Sequence, residues 1–279
     1  MKQEFDVLQQ CLQAAVRIVR RHFGKVGYEL KGKANLVTKA DVASQKAILS
    51  LIRKHFPTHD YLAEENGTKQ TGSDYTWVID PIDGTTNFAH TFPQCSVSIA
   101  LFYKNQPVLG GVANPITGET FLAQKGKGAT LNGKKIHVSK TPRLEKSLLI
   151  TGFPYDRFTR MPQLLNRFGA FLNACHDVRR LGSAALDLCW LAAGRADGYW
   201  EDALNPWDVS AGILILQEAG GKVTDFDGKK YKNIAAYGRT LLATLYCFSA
   251  SHLLSISLFM NGISSLMSSS SIFNEPIQL

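Results

Sequence analysis

Trp77-Val78-Ile79-Asp80-Pro81-Ile82-Asp83-Gly84-Thr85-Thr86-Asn87-Phe88 is the stretch from which the rest of the chain is read. An apolar run, Trp77 to Ile79, reads as a strand that delivers two carboxylates, Asp80 and Asp83, into a turn broken by Pro81 and Gly84. Three small hydrogen-bonding side chains follow, Thr85, Thr86 and Asn87. Strands usually end in one polar residue and a turn. Two acids three positions apart, followed by free backbone amides, make a place for a hard cation and a phosphate. Carboxylate and carbonyl oxygens suit Mg²⁺, which takes few protein ligands and fills its octahedron with water and substrate phosphate. Asp, Pro, Gly, Thr and Asn are also ordinary turn formers, so the local pattern serves a decorated turn equally well.

Other acids lie outward from this stretch. Ala63-Glu64-Glu65-Asn66 follows the short apolar pair Tyr61-Leu62, although adjacent acids are common on surfaces. Asn205-Pro206-Trp207-Asp208 places Asp208 in the first turn of an otherwise apolar helix, where an acid also serves as a cap. Asp41, in Leu36-Val37-Thr38-Lys39-Ala40-Asp41, admits the same capping role. Each signal is weak alone. Together Glu64, Asp80, Asp83 and Asp208 stand beside apolar residues, and burying four such acids without cations between them is costly.

The surrounding pattern is that of layered helices and sheets. Residues 4–23 read as an amphipathic helix, with Phe5, Leu8, Leu12, Ala15, Val19 and Phe23 at spacings of three and four, ended by Gly24 and Gly27. A second helix starts at Asp41, carries Ile48, Leu51 and Ile52 on one face and stops before Pro57. Ser96–Tyr103, Pro107–Val112, Glu119–Ala123 and Ser147–Thr151 read as strands, and Asn132-Gly133 is a strong hairpin signal. Helices are expected over 158–175, from about Gly182 to Ala193, and from Trp207 to Ala219, with a short strand at Gly198–Glu201. The predicted fold class is α/β, mixing α+β and α/β character in two joined halves with a seam near 140–147. The halves are 1–145, carrying most of the acids, and 146–240, completing the site; residues 241–279 form an atypical tail, uncharged but for Glu275. From Leu241 to Met260 there is no Asp, Glu, Lys or Arg, but interrupting serines and His252 favour a loosely packed tail over a membrane span.

With 279 residues and 45% hydrophobic content the chain sustains one large domain or two modest ones. The net charge of +8 suits anionic substrates, but also RNA or a membrane surface. The basic residues come as scattered pairs such as Arg20-Arg21 and Arg179-Arg180, with no nucleic-acid motif. Five cysteines, widely spaced and without a CxxC pair, point to free thiols in a reducing cytoplasm. The first ten residues hold Lys2, Glu4 and Asp6 and read as no secretory signal.

The stretch Trp77–Asn87, together with Trp207-Asp208-Val209-Ser210-Ala211-Gly212 through Glu218-Ala219-Gly220-Gly221, resembles the inositol monophosphatase family. That family lies within the wider superfamily of magnesium-dependent, lithium-sensitive sugar-phosphate phosphatases. The resemblance covers about residues 4–237 and fades after Tyr237. It implies a layered αβαβα sandwich, usually a homodimer, acting in the cytoplasm on inositol monophosphate with water activated by Mg²⁺. It further implies that Glu64, Asp80, Asp83, Asp208 and the carbonyl of Ile82 hold metal, with Glu64 chosen over Glu65. Asp41 and Thr85 would orient and help deprotonate the attacking water, and the amides of Gly84, Thr85 and Thr86 would meet the phosphate if a helix begins there. Thr85 is credible as a relay rather than a base, and a covalent Thr-phosphate lacks an adjacent activating group. The family's alcohol-binding segment resembles Arg179-Arg180-Leu181-Gly182-Ser183-Ala184, and its hydroxyl-accepting acid matches Glu201; Arg179 serves equally as a dimer contact. The implied substrate-binding set is therefore Glu64, Asp83, Gly84, Thr85, Arg179, Gly182, Ser183, Ala184, Glu201 and Asp208.

Relatives acting on nucleotide bisphosphates or histidinol phosphate typically replace the residues at Thr86 and Asn87, so their presence here favours inositol-type substrates. Fructose 1,6-bisphosphate stays open as an alternative. A reading from another class is a module that binds RNA or a transcription complex through the basic surface. A membrane-tethered phosphatase ranks third.

Overall fold

The computed structural model describes residues 1–25, 27–30, 36–65, 67–226, 229 and 231, and the backbone of 239–244. Helix α1 (Lys2–His22) is followed by the antiparallel pair β1 (Tyr28–Leu30) and β2 (Leu36–Thr38), then by α2 (Lys39–His55). Next come β3 (Asp60–Ala63), β4 (Thr68–Lys69), β5 (Tyr75–Asp83), the short helix α3 (Thr85–Ala89) and β6 (Ser96–Tyr103). The meander β7 (Gln106–Ala113), β8 (Thr120–Gln124), β9 (Gly128–Leu131) and β10 (Lys134–Lys135) completes an eight-stranded sheet of order β10-β9-β8-β7-β6-β5-β3-β4. The chain then builds β11 (Leu148–Thr151), α4 (Met161–Ala174), β12 (Asp177–Arg180), α5 (Ala184–Ala192) and β13 (Gly198–Leu204). Helix α6 (Pro206–Glu218), β14 (Lys222–Thr224) and β15 (Arg239–Thr244) follow, and the second sheet has the order β12-β11-β13-β15-β14.

Five layers result. One face of α1, with Leu8, Cys11, Leu12 and Val19 buried, packs with Ile48 and Ile52 of α2 against Trp77, Ile79 and Ile99 of the large sheet. The other face of that sheet, through Val78, Phe102, Val112 and Phe121, meets α5 and α6. Those helices are apolar nearly all round because the small sheet covers them in turn, through Ile150 and Tyr199. Helix α4 closes the outer face, its Phe171 stacked on Trp200 at 4.2 Å between ring centroids. This is the αβαβα sandwich, and β5 is buried along its last seven residues because helices lie on both sides.

Several elements depart from the sequence reading. The strand expected to end at Ile79 continues to Asp83, with a register shift against β6 between Asp80 and Asp83. A bulge accommodates Pro81, which has no N–H to give the ladder, so the prolyl turn becomes part of the strand. The helix expected over 158–175 is a 3₁₀ turn, Arg157–Thr159, followed by α4, whose first turn holds Pro162. Strand β12, a charged edge strand, had no alternation to reveal it. Strand β15 pairs with β13 and β14 and crosses the boundary placed at 240, so 241–244 belong to the sheet and not to a tail. Residues 245–279, holding the rest of the expected tail, and Asn233 to Ala236 lie outside the described residues. Among the described residues no helix is long and apolar enough to cross a membrane. Cys11, Cys95, Cys175 and Cys189 are free thiols.

Candidate active site

The bulge at the end of β5 aims its acids into one cleft. Asp80 accepts from the Ile82 amide at 3.0 Å, and the Ser44 hydroxyl of α2 donates to the Pro81 carbonyl at 3.1 Å, pinning the bulge to the outer helices. Asp83 is held from the second half of the chain: its Oδ2 accepts from Ser183 Oγ at 2.6 Å and the Ala185 amide at 2.8 Å, and more weakly from Ser96 Oγ at 3.4 Å. Gly84 then turns with φ of +85°, and an added Cβ would lie 2.9 Å from the Gln94 carbonyl and 3.0 Å from the Gly182 carbonyl. A side chain there is excluded by conformation and by space together. Helix α3 begins at Thr85, as the phosphate reading required.

Thr38 and Asp41 form a reciprocal cap on α2: the Thr38 amide donates to Asp41 Oδ2 at 2.8 Å, and the Ala40 amide donates to Thr38 Oγ1 at 3.1 Å. Capping and site chemistry are compatible, because the other oxygen, Asp41 Oδ1, accepts from Thr85 Oγ1 at 3.2 Å. The single Thr85 hydroxyl proton is shared with the Ile82 carbonyl at 2.9 Å. Asp208 uses one oxygen to cap α6, accepting from the Asn205 amide at 2.7 Å.

Glu64, Asp80, Ile82, Asp83, Thr85 and Asp208 line one cleft. Glu65 turns inward instead and is buried, its amide donating to Gln45 Oε1 at 3.0 Å. Burial pushes Asp80 well above the usual carboxylate range, and the charges of Glu64, Asp83 and Asp208 push it further. Asp83 is pushed up to about 6 by burial, against hydrogen bonds from Ser183 and nearby amides that hold it down. Asp208 is raised well above its ordinary value by burial, despite the Asn205 amide. Asp41, buried behind Thr85, is pushed up to about 6 by burial, with the Thr38 hydrogen bonds opposing. Mutual repulsion of this kind is what a divalent cation relieves.

Among the described residues no three acid, histidine or cysteine side chains are gathered into a ready-made ion cage. The carboxylates line an open cleft instead. That arrangement fits Mg²⁺, which uses one or two carboxylates and leaves its other positions to water and phosphate. The donor set, carboxylate and carbonyl oxygen without sulfur or imidazole, selects the same hard ions.

An adjoining pocket shares Asp83, Gly84 and Asp208 with the cleft and adds Gly182, Ala184 and Glu201. Glu201 accepts from the Tyr199 hydroxyl at 2.6 Å; burial pushes it up to about 7, while Tyr199 and the Arg180 charge hold it lower. Two expected substrate contacts fall elsewhere. Arg179 pairs with Asp177 at 2.5 Å outside both pockets, because neighbouring residues of β12 point to opposite faces and Arg180 takes the pocket side. Ser183 is only 1% exposed and spends its hydroxyl on Asp83, so it supports that acid and does not line the pocket. Tyr155, Asn205 and Trp207 also line the cleft but were assigned no role from the sequence. Asn205 and Trp207 directly precede Asp208 in the same motif, whereas Tyr155 follows Pro154 in a loop with no periodic signal.

The model of the inositol monophosphatase family matches residues 1–258, past Tyr237 where the resemblance read from the sequence ended. Phosphatase IMPL1, chloroplastic, of Arabidopsis thaliana is 45% identical over 221 residues, 77% of this chain and 59% of that longer relative. Nus factor SuhB of Pasteurella multocida is 43% identical over 228 residues, 78% of this chain and 85% of the relative. The structure of inositol monophosphatase from Anabaena superposes with a TM-score of 0.84 at 39% identity, covering 95% of this chain and 98% of that one.

Proposed function

The chain belongs to the inositol monophosphatase family, and from that premise we propose that it is a Mg²⁺-dependent phosphomonoesterase that releases phosphate from polyol monophosphates, inositol monophosphate first. The observation that carries the reading is the convergence of Glu64, Asp80, Asp83 and Asp208, drawn from three distant parts of the chain, on one cleft beside Thr85. Those four carboxylates and the Ile82 carbonyl would hold Mg²⁺. Bound there, the ion supplies Lewis acidity toward water and charge to stabilise the leaving oxygen.

The chain's own residues do the rest. Thr85 Oγ1 orients the attacking water and passes its proton toward Asp41 Oδ1, 3.2 Å away. A carboxyl pushed up to about 6 is a competent base near neutral pH. Glu201 accepts from hydroxyls of the departing alcohol, with Gly182 and Ala184 shaping the pocket wall. A homodimer, a cytoplasmic setting and inhibition by lithium accompany this reading.

Phosphate release from inositol 1-phosphate, fructose 1,6-bisphosphate, histidinol phosphate and adenosine 3′,5′-bisphosphate, each with and without Mg²⁺ and Li⁺, tests it. Inositol 1-phosphate is expected to be preferred and the reaction to require Mg²⁺. Preference for another ester overturns the substrate, and no Mg²⁺-dependent release from any overturns the enzyme.

A second reading draws on the relative named Nus factor and on the charge of +8: binding to RNA or a transcription complex. Salt-dependent RNA binding that survives Asp83→Asn would support it as a separate role.

A further inference from the structure

Most of the net positive charge sits on one rim of the large sheet. Residues 125–146 hold seven lysines and arginines against a single acid, Glu145, a net of +6 out of +8 for the whole chain. Arg143 pairs with Glu145, which leaves Lys125, Lys127, Lys134, Lys135, Lys140 and Lys146. All six are exposed, and none is in a salt bridge among the described residues. Lys125 and Lys127 stand in the turn joining β8 to β9. Strand β10 is the edge of the sheet, with Lys134 opposite Leu131 and Lys135 opposite Thr130. Beyond it the Ile136 amide donates to the Ala129 carbonyl at 3.1 Å, so the chain runs back along β9 toward the lysine turn. Thr130 is three residues from Lys127, a span of about 10 Å along the strand. Lys140 and Lys146 continue the rim on the segment leading to β11. Two other acids at the rim are spent. Glu218 accepts from the Gly126 and Gly128 amides, each at 2.8 Å, and buried Asp197 accepts from the Leu148 amide and the Ser139 hydroxyl.

Two ordinary uses of such charge fall short. Lysines on an edge strand deter pairing with another sheet, which accounts for Lys134 and Lys135 but not for those in the turn or the linker. A funnel for anionic substrates belongs beside the cleft. Asp208 lines that cleft from the first turn of α6, whereas Glu218, ten residues later, ends the helix at the rim. The helix sets them about 15 Å apart, beyond the screening length of about 8 Å at physiological ionic strength.

A surface of this kind fits dense, regular negative charge. A nucleic-acid duplex carries one charge per about 1.7 Å of axis, so about 10 Å of rim faces about six phosphates. No large apolar side chain of 125–146 is exposed for insertion into a lipid surface. The stretch has no Phe, Tyr or Trp on which an unpaired base could stack. Contacts to phosphate alone hold a duplex without reading its sequence.

We propose that this rim binds the phosphate backbone of double-stranded RNA, whatever its sequence. The inference rests on the RNA reading above, gives it a surface, and is independent of the phosphatase reading.

The test measures the affinity of the full chain for a mixed-sequence RNA duplex of about 20 base pairs, by fluorescence anisotropy, between about 50 and 200 mM salt. Wild type is compared with Lys125→Gln/Lys127→Gln, Lys134→Gln/Lys135→Gln and Arg17→Gln/Arg21→Gln; the last removes the same charge from exposed positions on α1. Log affinity against log salt should have a slope of about −4 to −5 in wild type. Each rim variant should flatten it by about 2 and weaken binding at least about tenfold near 100 mM salt, while the α1 variant keeps the wild-type slope. The two rim variants change exposed side chains at separate places, so each decides alone, and phosphate release from inositol 1-phosphate should stay at the wild-type level in both. Slopes within about 0.5 of wild type in the rim variants, or an equal loss in the α1 variant, overturn the inference. So does tighter binding of a DNA duplex of the same length, or a loss seen only on phosphatidylserine vesicles. Wild type that binds no RNA overturns the RNA reading as well, and none of these results touches the phosphatase reading.

Discussion

Ser183→Ala separates two roles for the same residue. A substrate-contacting Ser183 would affect the polyol alone, whereas the structure ties its hydroxyl to Asp83 Oδ2 at 2.6 Å, 1% exposed and out of the pocket. Asp83 keeps the Ala185 amide at 2.8 Å and the weaker Ser96 hydroxyl at 3.4 Å. A hydrogen bond to a charged group contributes about 1.5–3 kcal/mol, and about 1.4 kcal/mol is a factor of ten. With other donors remaining, the lower half of that range applies, so the apparent affinity for Mg²⁺ should fall about 10- to 40-fold, in line with partners that orient metal ligands. The direction with pH follows. Ser183 helps hold the Asp83 carboxyl down at about 6, so its loss raises that value and the proton competes harder with the ion. The deficit should therefore be larger at pH 6 than at pH 8. Mg²⁺ titrations of phosphate release, and of the melting temperature without substrate, measure it twice. A Mg²⁺ midpoint within twofold of wild type, with KM for inositol 1-phosphate raised, refutes the reasoning and returns Ser183 to the substrate.

Three further outcomes are expected. Gly84→Ala meets two backbone carbonyls at 2.9 and 3.0 Å and a φ of +85°, so urea unfolding should show a loss of at least about 2 kcal/mol. Thr85→Val removes the hydroxyl between Ile82 and Asp41 and should lower kcat about 100-fold or more, while Thr85→Ser stays within about tenfold of wild type; steady-state kinetics decide. Asp41 has a folded-state value of about 6 against an ordinary 3.8, so the folded protein keeps a proton that the unfolded chain releases. Its contribution to stability is present below about pH 4 and lost as pH rises through 6, and Asp41→Asn, which cannot ionise, should become progressively more stable than wild type across that window in metal-free thermal melts.

The acids were legible because each interrupts an apolar context: Asp80 and Asp83 follow Trp77–Ile79, and Asp208 precedes a helix buried from Val209 to Leu216. Any one of these carboxylates reads equally well as a cap or a turn residue; four of them beside apolar residues in one chain are what signal chemistry. What holds them was not legible, because Asp83 and Ser183 stand 100 residues apart and no periodic pattern connects them. The choice between Arg179 and Arg180 turns on the side-chain parity of β12, a four-residue strand whose one apolar residue, Val178, sets no alternation. Pro81 and Gly84 read as strand breakers, and they hid that β5 continues, since a bulge absorbs the proline.

The hydrogen bonds around Asp83 also bear on how the two sheets act together. Gly84 packs against the Gly182 carbonyl, and Asn87 Nδ2 donates at 2.7 Å both to Gln94 and to Leu181 across the seam. The turn bearing Asp83 thus comes from the large sheet but is positioned by the loop that opens α5, next to the small sheet. Substitutions in 181–185 should therefore disturb Asp83 before they disturb the alcohol, and loss of Mg²⁺ affinity should precede loss of polyol selectivity.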